Sequence, residues 1–238
     1  MELKPFAGAE KPEPCLILCI DLQNSTEFFK SPDADVSVQR YLNKLIADLN
    51  ALIKAKPTSI DENGADFSRA KAMPRLAHSK FLGDGFLLIW HMSQLRSSTV
   101  RDFLERLMHF QRRFPDFNKK LLQAEINTLQ VPNAIRFGLT AGSLRRLIVD
   151  RRKPYLDEWI GPGINRAARL QGYCKELGFL AHDVHLLDHA DLAALDLVKV
   201  VAVKMKSHEE KILVHVDSMA FSTLSESSSG LFERVEHM

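Results

Sequence analysis

Apolar runs separated by short polar turns set the rhythm of this chain. The stretch Cys15–Ile20, CLILCI, is apolar throughout and runs straight into Asp21, followed by the polar turn Gln23-Asn24-Ser25-Thr26. A short apolar run bounded by turn residues predicts a buried strand over 15–21, with Asp21 at its exit. From Val36 to Lys54, apolar residues recur at Val38, Tyr41, Leu42, Leu45, Ile46, Leu49 and Leu52 or Ile53. That three-and-four spacing predicts a helix with one buried face. The polar segment Pro57–Arg69 reads as a surface loop. In Leu76–His91, two apolar arms flank Gly83-Asp84-Gly85, and Asp-Gly between apolar runs is a strong hairpin signal.

Beyond the hairpin, Thr99–Asn127 predicts a long helix or a bent pair, with Pro115 as the break. Ala134–Ala141 alternates and reads as a strand, with Leu144–Val149 as its expected partner. Arg151-Arg152-Lys153 and Pro154 mark a loop, a solvated turn rather than a phosphate contact. Gly161-Pro162-Gly163 opens a helix over Ile164–Leu177, and one or two strands are expected in Leu180–Leu187. Leu197–Met205 and Lys211–Val216 pair as a last hairpin, and Ser222–Gly230 is rich in serine and expected to be mobile. Hairpins separated by helices predict an α+β fold with a largely antiparallel sheet. Residues 1–14 read as a loose lead-in, 15–217 as one domain and 218–238 as a tail.

Composition narrows the function classes. Hydrophobic residues at 45% and charged residues at 26% of 238 suit a globular chain with a full core. A formal net charge of +2 argues against a nucleic-acid-binding surface or stable membrane association. No apolar run approaches the roughly 20 residues of a membrane span, and no signal-peptide core precedes the first strand. Cys15, Cys19 and Cys174, an odd count, read as core residues rather than as a disulfide or metal pair, and a cytoplasmic location is expected.

The candidate chemistry gathers in three places. Asp21 ends a strand, Asp84 sits in a hairpin turn, and Asn165 and Arg169 lie four apart on one helix, projecting from the same face. Two acids at neighbouring sheet ends can hold Mg²⁺ or Mn²⁺ together with a substrate's phosphates. His182, Asp183, His185 and His189 resemble a zinc cluster in composition, but on a strand-like stretch of mixed polarity they read as scattered surface residues.

Four motifs carry a resemblance. They are Ile20-Asp21-Leu22 with Ser25-Thr26, then Lys80-Phe81-Leu82-Gly83-Asp84-Gly85, then Arg136 to Gly142 (RFGLTAG), then Trp159 to Leu170 (WIGPGINRAARL). In this order, over roughly residues 15–216, the chain resembles the catalytic domain of class III nucleotide cyclases, the adenylate and guanylate cyclase family. The resemblance implies a ferredoxin-like or palm-type antiparallel sheet and a homodimer with shared active sites. It implies a nucleoside triphosphate substrate and two divalent cations, Mn²⁺ or Mg²⁺, held by Asp21, Asp84 and the Leu22 carbonyl. One cation would activate the ribose 3′-hydroxyl and the other would grip the β- and γ-phosphates. Asn165 resembles the residue that orients the ribose, and Arg169 the one that neutralises charge growing on the α-phosphate. Lys204, with Lys206 nearly as well placed, resembles a lysine that touches the β- and γ-phosphates.

By the same resemblance, Lys80 and Glu158 fall at the positions that read the base. The family's adenine-selective enzymes carry aspartate where Glu158 stands. A lysine donor beside a carboxylate acceptor matches adenine, uracil and cytosine alike, so hydrogen-bond type does not decide among them. No sensor or membrane module is expected on the chain. A free-standing cyclase of this divergence is similar to the pyrimidine cyclases of antiphage defence, the Pycsar systems, which make cyclic UMP or cyclic CMP for a separate effector. UTP is expected ahead of CTP, with a soluble adenylate cyclase as the runner-up. A non-catalytic nucleotide-binding homologue and a diguanylate-cyclase-like palm are the rival classes.

Overall fold

The computed structural model describes residues 6–30, 34–61, 70–124, 131–150, 152–153, 157–182, 194–203 and 211–235. Its strands are β1 (Gly8–Ala9), β2 (Glu13–Gln23), β3 (His78–Phe81), β4 (Gly85–His91), β5 (Ala134–Ile148), β6 (Glu158–Ile160), β7 (Phe179–His182), β8 (Leu197–Ala202), β9 (Ile212–Asp217) and β10 (Phe232–Arg234). The main sheet runs β10-β8-β9-β7-β5-β2-β4-β3, and β1 and β6 pair with the far end of β5. Only the β5–β7 pairing is parallel among the described strands. The α+β, largely antiparallel architecture expected from the hydrophobic pattern is therefore present.

Strand β2 forms the middle of the sheet because it is apolar on both faces. Leu16, Leu18, Ile20 and Leu22 join one core with Trp90, Phe137 and Leu139. Cys15, Ile17 and Cys19 join another with Leu87, Ile89 and Trp159. Burial pushes the Cys15 and Cys19 thiols up to about 11, and all three cysteines are free, so they serve as small apolar fillers.

Helix α1 (Ser25–Phe29) follows β2, and the first core is roofed by helices α2 (Ala34–Ile53), α3 (Ser97–Arg112) and α4 (Phe114–Ala124). Tyr41, Leu45, Leu49 and Leu52 form the buried stripe of α2, as the spacing predicts, whereas Ile46 is left exposed on its flank. Tyr41 keeps its hydroxyl satisfied by donating to Asn118 Oδ1 at 2.9 Å. The break between α3 and α4 falls at Arg113, two residues ahead of Pro115, which sits in the first turn of α4. There its missing N–H removes no helical bond.

Helix α5 (Pro162–Tyr173) covers the opposite face. Gly138 of β5 makes room for it, whereas a side chain at Gly142 would meet the helix at ordinary contact. A Cβ on Gly138 would lie 2.1 Å from the Ala167 carbonyl oxygen, and one on Gly142 3.4 Å from Gly163 Cα. Leu144–Val149, expected as a partner strand, instead continues β5 as far as Ile148, because Gly142 and Ser143 stay paired with Cys15 and Pro14 of β2 rather than turning. The last hairpin, β8–β9, pairs as expected. Two short helices, Ser218–Ser222 and Glu226–Ser229, occupy the serine-rich stretch expected to be mobile, and β10 beyond them adds an edge to β8. Of Leu180–Leu187, only the part in β7 lies among the described residues.

Candidate active site

The two acids singled out in the sequence meet. Asp21 lies opposite Gly85 in the β2–β4 register, and β4 begins there, so Asp84 stands one residue outside the ladder beside Asp21. The turn Leu82-Gly83-Asp84-Gly85 is closed by the Leu82 N–H donating to the Gly85 carbonyl at 2.9 Å, with Gly83 at φ +96°. Asp84 is pinned to β2 by the Leu22 N–H, which donates to its carbonyl at 3.0 Å. The N–H and C=O of one strand residue leave the same edge, so the Leu22 carbonyl also looks toward Asp84. Ser25 Oγ donates to Asp84 Oδ2 at 3.2 Å. Asp21, Leu22, Asn24, Ser25, Thr26, Glu27, Asp84 and Arg136 line one cavity of about 350 Å³.

Gly85 is what lets the turn press this closely on β2. A Cβ there would lie 2.0 Å from the Ile20 carbonyl oxygen, a backbone atom that cannot swing away. Gly85→Ala is expected to lower stability by about 1–3 kcal/mol, the usual cost of overpacking, and to displace Asp84. Thermal unfolding checks the first effect, and loss of divalent-ion binding checks the second.

The donor set suits a hard divalent cation: two carboxylates, a backbone carbonyl and a hydroxyl, all oxygen. Among the described residues, no group of three or more His, Cys, Asp or Glu is placed to hold an ion. A pair of acids needs further oxygens from a ligand, as phosphates would provide. Of the histidine-rich stretch, His182 closes β7, while Asp183, His185 and His189 lie outside the described residues.

Lys80 and Glu158, 78 positions apart, also come together. Lys80 Nζ lies 2.6 and 2.7 Å from the two Glu158 carboxylate oxygens. Lys80 reaches this point from edge strand β3 and Glu158 from β6. Both side chains are more than 40% exposed, so the pair adds little to stability and opens at small cost. Two residues along β3, His78 packs against Trp159, with ring centroids 6.3 Å apart. Burial, above all, holds His78 below the usual histidine range and so keeps it neutral near pH 7.

Asn165 and Arg169 sit on the outer side of α5, Asn165 exposed and Arg169 half-exposed, while Gly163, Ala167 and Leu170 face inward. Neither lines the Asp21–Asp84 cavity. Lys204 and Lys206 lie outside the described residues. Two contributors escaped the sequence reading. Ser25 and Arg136 stand there only as members of motifs, with no role of their own. The signal for Arg136 was there: a cation on the Gly138 face of an otherwise apolar, alternating strand, two positions before a glycine that receives a helix.

No family model matches the chain, and no curated protein matches it. Solved structures do resemble it. Against the adenylyl cyclase CyaB from P. aeruginosa the TM-score is 0.57 at 12% identity, over 88% of this chain and 95% of that one. Against the guanylyl cyclase Cya2 it is 0.60 at 14% identity, over 88% and 93%. The catalytic core of a rhodopsin-guanylyl cyclase with converted specificity, in complex with ATPαS, gives 0.54 at 15% identity, over 88% and 97%. The fold is that of class III nucleotide cyclase catalytic domains. No described helix is long and apolar enough to cross a membrane.

Proposed function

We propose that this chain is a nucleotidyl cyclase that converts a nucleoside triphosphate to a 3′,5′-cyclic nucleotide and pyrophosphate. The observation that carries the reading is the meeting of Asp21 and Asp84 in one cavity, on a fold in which such enzymes are built. Asp21, Asp84 and the Leu22 carbonyl would hold two divalent cations, Mg²⁺ or Mn²⁺, whose chemistry there would be a more acidic 3′-hydroxyl and a neutralised triphosphate. Arg136, at the cavity wall, offers a guanidinium fork to phosphate oxygens. The working unit is a homodimer. Neither Asn165 nor Arg169 lines the cavity of its own chain, and in this reading those of one copy complete the site of the other. Asn165 orients the ribose, and Arg169 stands ready for the charge that develops on the α-phosphate. Lys204 contacts the β- and γ-phosphates.

Lys80 and Glu158 read the base. Glu158 is one methylene longer than the aspartate of adenine-selective relatives and reaches Lys80 directly, so the donor and acceptor sit differently from an adenine-reading pair. That departure favours a base other than adenine, so UTP, then CTP, is the proposed substrate, with ATP the runner-up. The cyclic pyrimidine nucleotide would act as a second messenger on a separate effector in antiphage defence. Glu158→Asp is expected to shift the kcat/KM ratio toward ATP over UTP by about tenfold, the scale set by one methylene in a pocket. Competition between the two substrates measures it.

The deciding experiment incubates the protein with ATP, GTP, CTP and UTP and Mn²⁺, with products identified by mass spectrometry. Cyclic UMP as the main product is expected. Pyrophosphate release with none of the four leaves a non-catalytic nucleotide binder, and a dinucleotide product indicates a diguanylate-cyclase-like reaction instead.

A further inference from the structure

We propose that Arg136 is a latch on the metal site, occupying Asp21 until a triphosphate arrives, so that divalent cations bind well only in company with nucleotide. The inference rests on the cyclase reading above and concerns how its site is regulated. Asp21 and Arg136 are direct partners in the β2–β5 register, so the sheet itself brings them together. Arg136 Nε donates to Asp21 Oδ2 at 3.1 Å, and its Nη2 donates to the same oxygen. Both side chains are largely buried, 13% and 17% exposed, where little water screens their attraction.

The two aspartates of the cavity are thus held differently. Among the described residues, the Asp84 carboxylate accepts a neutral hydroxyl, from Ser25, a weak bond that an arriving cation displaces easily. Asp21 already carries a fixed positive partner, and a divalent ion approaching it meets like charge at short range. A triphosphate removes this obstacle. It carries more negative charge than one carboxylate and offers oxygens that match the guanidinium fork. Arg136 then turns to the phosphates, and Asp21 is freed for the cation. Because binding free energies are linked, nucleotide tightens metal and metal tightens nucleotide. The free protein stays a poor metal binder at the ion concentrations its substrate-bound form uses.

The test titrates Mn²⁺ into nucleotide-free protein and reads free ion by electron paramagnetic resonance, with thermal unfolding as a check on folding. Arg136→Gln is expected to bind Mn²⁺ about tenfold more tightly than wild type, equivalent to about 1.4 kcal/mol. Arg136→Lys, which keeps charge but loses the fork, is expected to fall between them, and it serves as the test should Arg136→Gln not fold. Affinity equal to or weaker than wild type in a folded Arg136 variant overturns the latch. Adding Asp21→Asn to Arg136→Gln is expected to erase the gain. A double variant that binds as tightly as Arg136→Gln overturns instead the assignment of Asp21 as a metal ligand, the reading on which the latch depends.

Discussion

Asp21→Asn is expected to abolish cyclic-nucleotide formation with Mg²⁺ and Mn²⁺ alike, and so is Asp84→Asn, each by about 10³-fold or more. A carboxamide nearly matches a carboxylate in shape but brings no charge to a cation, so the loss is electrostatic rather than steric. The two variants part company in stability. Asp21→Asn also strips Arg136 of its charged partner in a largely buried setting, so its unfolding midpoint is expected to fall. Asp84→Asn exchanges one acceptor of the Ser25 hydroxyl for another, and its midpoint is expected to hold. Product formation by mass spectrometry and a thermal scan measure both effects. Substantial turnover in either folded variant removes that residue from the metal assignment.

The second large effect is at Arg169. Its side chain is half-exposed on the outer side of α5, away from the buried Gly163, Ala167 and Leu170. Arg169→Ala therefore leaves the folded chain nearly intact. Loss of a preset charge that faces the transition state typically costs about 10²–10³ in kcat, and that is the fall expected here. KM should change much less, because the charge Arg169 meets develops mainly on the way to the transition state. A fall in KM-linked binding with kcat unchanged would assign Arg169 to ground-state phosphate binding instead.

Much of this arrangement was legible in the residues, for identifiable reasons. Strand β2 announced itself because a strand in the middle of a sheet is apolar on both faces, and CLILCI has no polar alternation. Helix α2 was readable because one stripe of it faces the core. The β3–β4 turn was readable because Gly83 needs a positive φ that its neighbours would resist. The extent of β5 was not readable. Gly142-Ser143 looks like a turn locally, and only the pairing of these residues with Cys15 and Pro14 of β2 keeps the strand continuous. The Asp21–Arg136 pair escaped for a similar reason. It depends on β2–β5 register, a fact about two segments over a hundred positions apart that neither segment carries alone. The closeness of Lys80 to Glu158 likewise follows from the way β3 and β6 are placed by the sheet, not from any local pattern. Local patterns gave the elements and the residue types; pairing across the sheet set which charges meet.

In the proposed enzyme the acids of one chain work with the α5 face of its twin. Mixing tests it most directly: Asp21→Asn and Arg169→Ala chains, each inactive alone, are co-expressed and assayed for cyclic product. Shared sites predict recovery to about a quarter of wild-type activity, since half of randomly assorted dimers are mixed and each mixed dimer holds one intact site of two. Folded, dimeric mixtures with no more activity than the separate variants would contradict it.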